Sequence, residues 1–269
     1  MNASTTNAFF LPVVAAQESE LEAGALVTVE DGRVNRSVAL YRNYQRLQPR
    51  KTEFPPALAL MTAFAAESIT GLRNVGAVGH EPPALTAVVE TRRILNRPLR
   101  TLGVVYRKPL ESFVREQATL AKIESVHFEA VEVGVHPSHN DVEWALDQLV
   151  GEGAIDALWV LNDNVLLSPE LLREVWLPTL HRNHLPVIVG VDSLVRPELD
   201  FGSLAVTPDL ELLGVQAANL LLDLQDDDWQ LEPALYQPVS VRTLVNASQA
   251  RKYFGLTDKG LSHADGIME

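Results

Sequence analysis

Three polar clusters carry the side chains best suited to hold a small polar molecule: Asn162-Asp163-Asn164, Asp192-Ser193 and Tyr106-Arg107-Lys108. The carboxylates of Asp163 and Asp192 can pair with a cation such as an ammonium. Asn164 and Ser193, with neighbouring backbone N–H groups, can hold a carboxylate. Asn and Asp also make turns and cap helices, so any one of these residues reads first as local scaffolding. The run of three at 162–164 is different, because the capping hydroxyl of Ser168 comes only later. That run points to recognition.

Covalent chemistry finds no support. The chain has no cysteine, which excludes disulfides, thiolate metal sites and Cys nucleophiles. There is no Gly-x-Ser-x-Gly elbow, and neither Gly-x-Gly-x-x-Gly nor Gly-x-x-x-x-Gly-Lys occurs as a phosphate loop. His127, His136 and His139 lie close in sequence, and His136-Pro-Ser-His139 has a metal-like spacing. The fragment falls in a strand-to-helix connection, expected on the side opposite the polar clusters and without a carboxylate pair, so it reads as a surface loop. His181 and His184 suit a helix C-terminus. The chain is therefore expected not to be an enzyme, with no metal and no cofactor.

The elements that position these clusters are regular from residue 100 onward. Thr101–Tyr106, Val126–Val133, Ile155–Leu161, Pro186–Val191 and Phe201–Val206 read as strands. Helices are expected after Pro109, from a cap at Asn140 or Asp141, from Ser168-Pro169-Glu170, and from Pro208 to about Asp223. The order β-α-β-α-β-α-β-β-α implies a parallel sheet with helices on both faces. In such sheets ligands sit beyond the carboxyl ends of the strands, where the three clusters fall. In the first hundred residues Ala25–Val29, Leu58–Ala63 and Asn74–Val78 read as strands, and Val34–Leu47 and Pro83–Leu95 as helices. Thr62, Phe64 and Gly79-His80 then occupy equivalent positions after strands. Val239–Val245 reads as a late strand, Asp226–Asp228 as a solvated turn, and the chain after Asp258 as frayed.

The segment from about Arg100 to Leu256 resembles the ABC-transporter substrate-binding family of the periplasmic-binding-protein type, whose characterised members bind aromatic amino acids and similar solutes. The resemblance rests on LGVVYRKP, DALWVLNDNVLLSP, LPVIVGVDSLV, LELLGVQAANLLLDL and PVSVRTLVNASQARKYFGL, in that order. It implies an α/β protein of two lobes, each a parallel sheet flanked by helices, that closes by domain motion on a ligand. The lobes would be 1–98 with 233–269, and 99–232. Asp163, Asn164 and Asp192 would be ligand contacts of the second lobe, with Tyr106 and Arg107 at the cleft edge. After Leu58–Met61 the chain reads Thr62-Ala63-Phe64-Ala65, where the family has Thr followed by Asp and Pro. Phe64 then offers an apolar wall in place of a carboxylate. Met1–Phe54 leaves little room for the family's leading units, so a reduced first lobe or a truncated chain is expected.

The composition is that of an ordinary globular protein. The 269 residues, 46% hydrophobic and 21% charged, are enough for two compact α/β lobes or one large domain. A net charge of −13, without a basic run longer than two residues, argues against nucleic acid. No stretch reaches the roughly 20 apolar residues of a membrane span. Phe9–Ala16 (FFLPVVAA) resembles a signal-peptide core, but Met1–Ala8 carries no Lys or Arg and Pro12 interrupts the run; a plain tail is the alternative. The resemblance implies a small-molecule ligand, an ABC permease partner and a periplasmic or cell-envelope location. A sensing domain of the same fold, signalling to a membrane or regulatory partner, is the rival reading; no helix-turn-helix for DNA binding is evident in Met1–Phe54.

Overall fold

A computed structural model of the chain describes residues 26–29, 36–95, 98–151, 155–227, 230–231 and 234–269. The Phe9–Ala16 segment and the end of the acidic tract lie outside these residues. In chain order the first elements are β1 (Leu26–Val29), α1 (Arg36–Leu47), β2 (Ala57–Thr62), α2 (Ala65–Ile69), β3 (Val75–Gly79) and α3 (Ala84–Leu95). Next come β4 (Thr101–Arg107), α4 (Glu111–Ala121), β5 (His127–Val133), α5 (His139–Gly151) and β6 (Ala157–Val160). Helix α6 runs through Pro169–Leu171, a π-helical Leu172–Trp176 and Leu177–Asn183. The chain continues with β7 (Val187–Val189), β8 (Leu204–Pro208), α7 (Leu210–Asp226), β9 (Ala234–Tyr236), β10 (Val241–Asn246), α8 (Ala247–Phe254), α9 (Asp258–Leu261) and β11 (Gly266–Met268).

Two compact units form, Met1–Glu81 with Pro208–Ser240, and Pro82–Thr207 with Val241–Glu269. The boundaries differ from the expected 1–98 with 233–269 and 99–232. Helix α7 belongs to the first unit, because Leu213 and Ala217 pack with Leu58, Leu60 and Val78. Helix α3 belongs to the second, where the Ala84 N–H donates to Gln117 Oε1 at 2.8 Å. The tail expected to fray is ordered, since β11 pairs parallel with β10 through Leu244–Asn246.

The first unit is a parallel sheet in the order β1-β2-β3-β9. Strand alternation sends successive side chains to opposite faces. Leu58 and Leu60 therefore meet α7, while Ala57 and Ala59 pack with Val38 and Tyr41 of α1 and with Ala65 and Ile69 of α2. Tyr41 is 2% exposed and its hydroxyl donates to the Pro55 carbonyl. Burial pushes its pKa from 10.0 up to about 12. A phenol held neutral in the folded state stabilises fully below pH 10 and loses that contribution as pH rises through the folded value. Unfolding titrations should therefore show roughly 2–3 kcal/mol lost between pH 10 and about 12. Tyr41→Phe should remove that slope, and an unchanged slope would contradict the assignment.

The second unit holds a sheet in the order β11-β10-β8-β7-β6-β4-β5. The pairs β4–β5, β4–β6, β6–β7 and β7–β8 are all parallel. One face buries Val105, Leu158, Val160 and Val189 under α5 and α6, including Leu146 and Trp176. On the other side of β6, Trp159 meets Phe113 of α4 at 6.0 Å between ring centroids. The expected strands appear within a few residues of their predicted limits. Local signals explain the helix starts. Ser168 caps α6 by accepting from Leu171 N–H at 3.2 Å. Pro208, expected to open the next helix, ends β8, and Asp209 caps α7 by accepting from the Glu211 and Leu212 N–H groups. At α5 the cap is Ser138, whose N–H and hydroxyl both reach Asp141 Oδ2 (2.8 and 2.7 Å), in place of Asn140 or Asp141 as expected. Those bonds lower the pKa of Asp141, the hydroxyl's contribution being the larger. Pro178 lacks an N–H, and just before it the ladder widens, with the Leu177 N–H reaching Leu172 O.

Candidate functional site

Topology selects one place in the second unit. From β4 the chain crosses to β5 on one side and then returns to β6 on the other. Loops leaving β4 and β6 therefore diverge, which opens a crevice at their carboxyl ends. Arg107 ends β4, and Asn162-Asp163 follows β6. An ion pair fills the crevice: Arg107 Nε donates to Asp163 Oδ2 at 2.5 Å, with side-chain exposures of 17% and 2%.

Both partners are fixed by further bonds. Asp163 Oδ1 accepts from the Val165 N–H at 2.9 Å, so its two oxygens are committed within the protein. Arg107 Nη1 donates to the Val135 carbonyl at 2.9 Å. Val135 lies in the β5–α5 loop with His136, so that loop sits at the same edge as the polar cluster. This corrects the expectation that it faces the opposite side. In a parallel sheet every strand-to-helix loop leaves from the carboxyl edge. The expectation that His139 has no carboxylates near it is corrected as well. Its Nε2 lies 3.6 Å from Glu170 and its Nδ1 3.4 Å from Glu174. One ligand atom from each of His139, Glu170 and Glu174 lies within 4.8 Å of the others, a spacing that could hold a metal ion and that exposed acids also adopt without one.

Asn162 is 8% exposed, and among the described residues no donor reaches its Oδ1. Its amide lies over Gly190, just past β7, where an added Cβ would stand 2.6 Å from Nδ2. Any side chain at position 190 would push the Asn162 amide aside. Asn164, Asp192 and Ser193 are exposed, with Asp192 and Ser193 in a short 3-10 turn, Asp192–Val195. Ser193 borders a separate open depression of about 570 Å³ whose walls include Arg196 and Met268. Tyr106 is half-buried, and burial raises its pKa, followed by the charges of Glu132 and Glu111. The structure thus joins Arg107, Asp163 and Asn162 at one pole and leaves Asp192 and Ser193 on an exposed turn.

The first unit has its own polar pole. Thr62 ends β2 fully buried, and among the described residues its Oγ1 has no hydrogen-bond partner. Met61 and Phe64 flank it with φ of 57° and 48°, a left-handed conformation that costs a non-glycine residue energy. A register irregularity between Leu60 and Thr62 accompanies this bend. The Phe64 N–H donates to Glu81 Oε2 at 3.0 Å. A carboxylate therefore stands behind this loop after all, supplied from beyond β3. His80 and Glu81 are both 8% exposed. Sequence reasoning missed Glu81; two polar residues running on past a wholly apolar strand were the available signal.

No protein-family model matches the chain, and no curated protein matches it. Solved structures do. An ABC domain in complex with L-Trp from Streptococcus pneumonia aligns over 91% of this chain and 99% of its own, at TM-score 0.54 and 15% identity. A ligand-free, open substrate-binding protein with adhesive properties from Clostridium difficile aligns over 91% and 78%, at TM-score 0.56 and 17% identity. A conserved domain protein from Vibrio cholerae aligns over 90% and 78%, at TM-score 0.57 and 17% identity. At these identities the likeness is one of fold. The chain has the periplasmic-binding-protein-like α/β fold, built of parallel sheets flanked by helices.

Proposed function

We propose that this protein is a solute-binding protein that captures a small organic molecule and does not transform it. An amino acid is the leading ligand. An ABC-type permease in the membrane is the proposed recipient, and the periplasm or cell envelope the proposed location. Among the described residues, no helix is long and apolar enough to cross a membrane.

One observation carries the reading. Among the described residues, each unit buries a polar atom without a hydrogen-bond partner at or just past a strand's carboxyl end, Thr62 Oγ1 in one and Asn162 Oδ1 in the other, where Asn246 Nδ2 is also unpartnered. A buried group left unsatisfied costs about 1–3 kcal/mol, and such groups persist where something outside the fold completes them. A ligand that bonds to such an atom recovers that cost. Binding therefore shifts the population toward the conformation that makes those bonds.

The test is a thermal-shift screen with amino acids, nucleosides, sugars and lipophilic small molecules. A ligand that binds only the folded chain stabilises it by about 2.7 kcal/mol at a hundredfold excess over Kd. At least one amino acid should raise the melting temperature. A flat response across the panel would contradict the proposal.

A further inference from the structure

We infer that Arg107 recognises a carboxylate, so that the second unit binds the acidic end of its ligand through a guanidinium and not its ammonium end through Asp163. This rests on the solute-binding reading above and specifies which chemical group that pole takes.

Asp163 is unsuited to receive an external cation. Its side chain is 2% exposed, Oδ2 accepts from Arg107 and Oδ1 from the Val165 N–H. An ammonium would have to break a buried charged pair to reach it. The guanidinium, by contrast, has a group to spare. Nε is held by Asp163 and Nη1 by the Val135 carbonyl, and among the described residues nothing accepts from Nη2. Bonds from Nε and Nη1, which leave different edges of the guanidinium, fix its plane, so the N–H groups of Nη2 are aimed before any ligand arrives.

The surrounding charges leave this edge available. Lys108, next in sequence, is already taken by Glu111 and Glu132 at 2.7 and 3.2 Å. Those two acids are thereby paired and do not compete for Arg107. Asn162, one residue before Asp163, adds an unpartnered acceptor buried against Gly190. The pole therefore pairs a charged donor with a nearby neutral acceptor. An α-amino acid, with a carboxylate beside an N–H group, matches both; a simple amine or a carboxamide matches only part.

The experiment measures affinity of the full chain, by calorimetry, for each amino acid that stabilises it, for the corresponding amide and for the decarboxylated amine. The wild-type protein should bind the acid roughly 10- to 100-fold more tightly than either analogue, the usual span for one charge-assisted hydrogen bond. A double variant, Arg107→Gln with Asp163→Asn, removes both charges together and leaves no buried ion unpaired. It should fold and bind acid and amide within a few-fold of each other. Equal wild-type affinity for acid and amide, or discrimination retained in the double variant, would overturn the Arg107 assignment and leave the solute-binding reading standing. Failure of every amino acid and every analogue to bind would overturn both.

Discussion

Asp163→Ala should destabilise the second unit by about 3 kcal/mol, the lower end of the cost of stripping one partner from a buried ion pair. The lower end applies because the Arg107 side chain is 17% exposed, and water reaches part of it once the carboxylate is gone. The Val165 N–H loses its acceptor in the same step. Replacing both charges, as in Arg107→Met with Asp163→Leu, should recover most of the loss, since the penalty comes from the orphaned charge. Chemical denaturation of the three proteins checks this. A double variant no more stable than Asp163→Ala would show that the loop geometry, not the charge, was what Asp163 maintained. In both variants ligand-induced stabilisation by an amino acid should fall, because Arg107 is either unaligned or absent.

Trp176→Ala should cost about 3–5 kcal/mol. Trp176 is 1% exposed within the main core of the second unit and crosses Phe201 edge-on at 6.1 Å. Its Nε1–H donates to the Leu166 carbonyl at 2.9 Å, in the segment that runs from the Asn162-Asp163-Asn164 cluster into α6. Truncation thus empties a large volume and releases the loop behind the site. Trp176→Phe keeps most of the packing and loses the bond, and should cost about 1–2 kcal/mol. Equilibrium unfolding distinguishes them: equal losses would mean that the hydrogen bond, and not the volume, dominates.

The second unit was legible because its strands are short apolar runs set between strong helix signals. Ser168-Pro169-Glu170 states its capping in the residues themselves, and the structure uses it. Unit boundaries were not legible. Nothing local in Leu213 or Ala217 tells which sheet α7 covers, because both sheets offer an apolar face. The last strand escaped notice because Gly266–Met268 is three residues long and gains order only from pairing with β10. At the site, residue types were read well and their partners poorly. Asp163 and Arg107 lie 56 positions apart, and only the parallel register of β4 and β6 brings them together. Asp156 illustrates the same limit. It precedes β6, and its carboxylate accepts from the N–H groups of Arg100 and Thr101 at 2.7 and 2.9 Å. It is a scaffold residue at the opposite edge, no different in type from Asp163.

The most direct check is a calorimetric titration of the wild-type chain with the solute that most raises its melting temperature, followed by mass analysis of the recovered solute. Saturable binding of one molecule per chain, with the solute returned chemically intact, is the predicted result. No saturable heat from any stabilising compound, or a solute returned with altered mass, would contradict the account of a protein that holds its ligand without changing it.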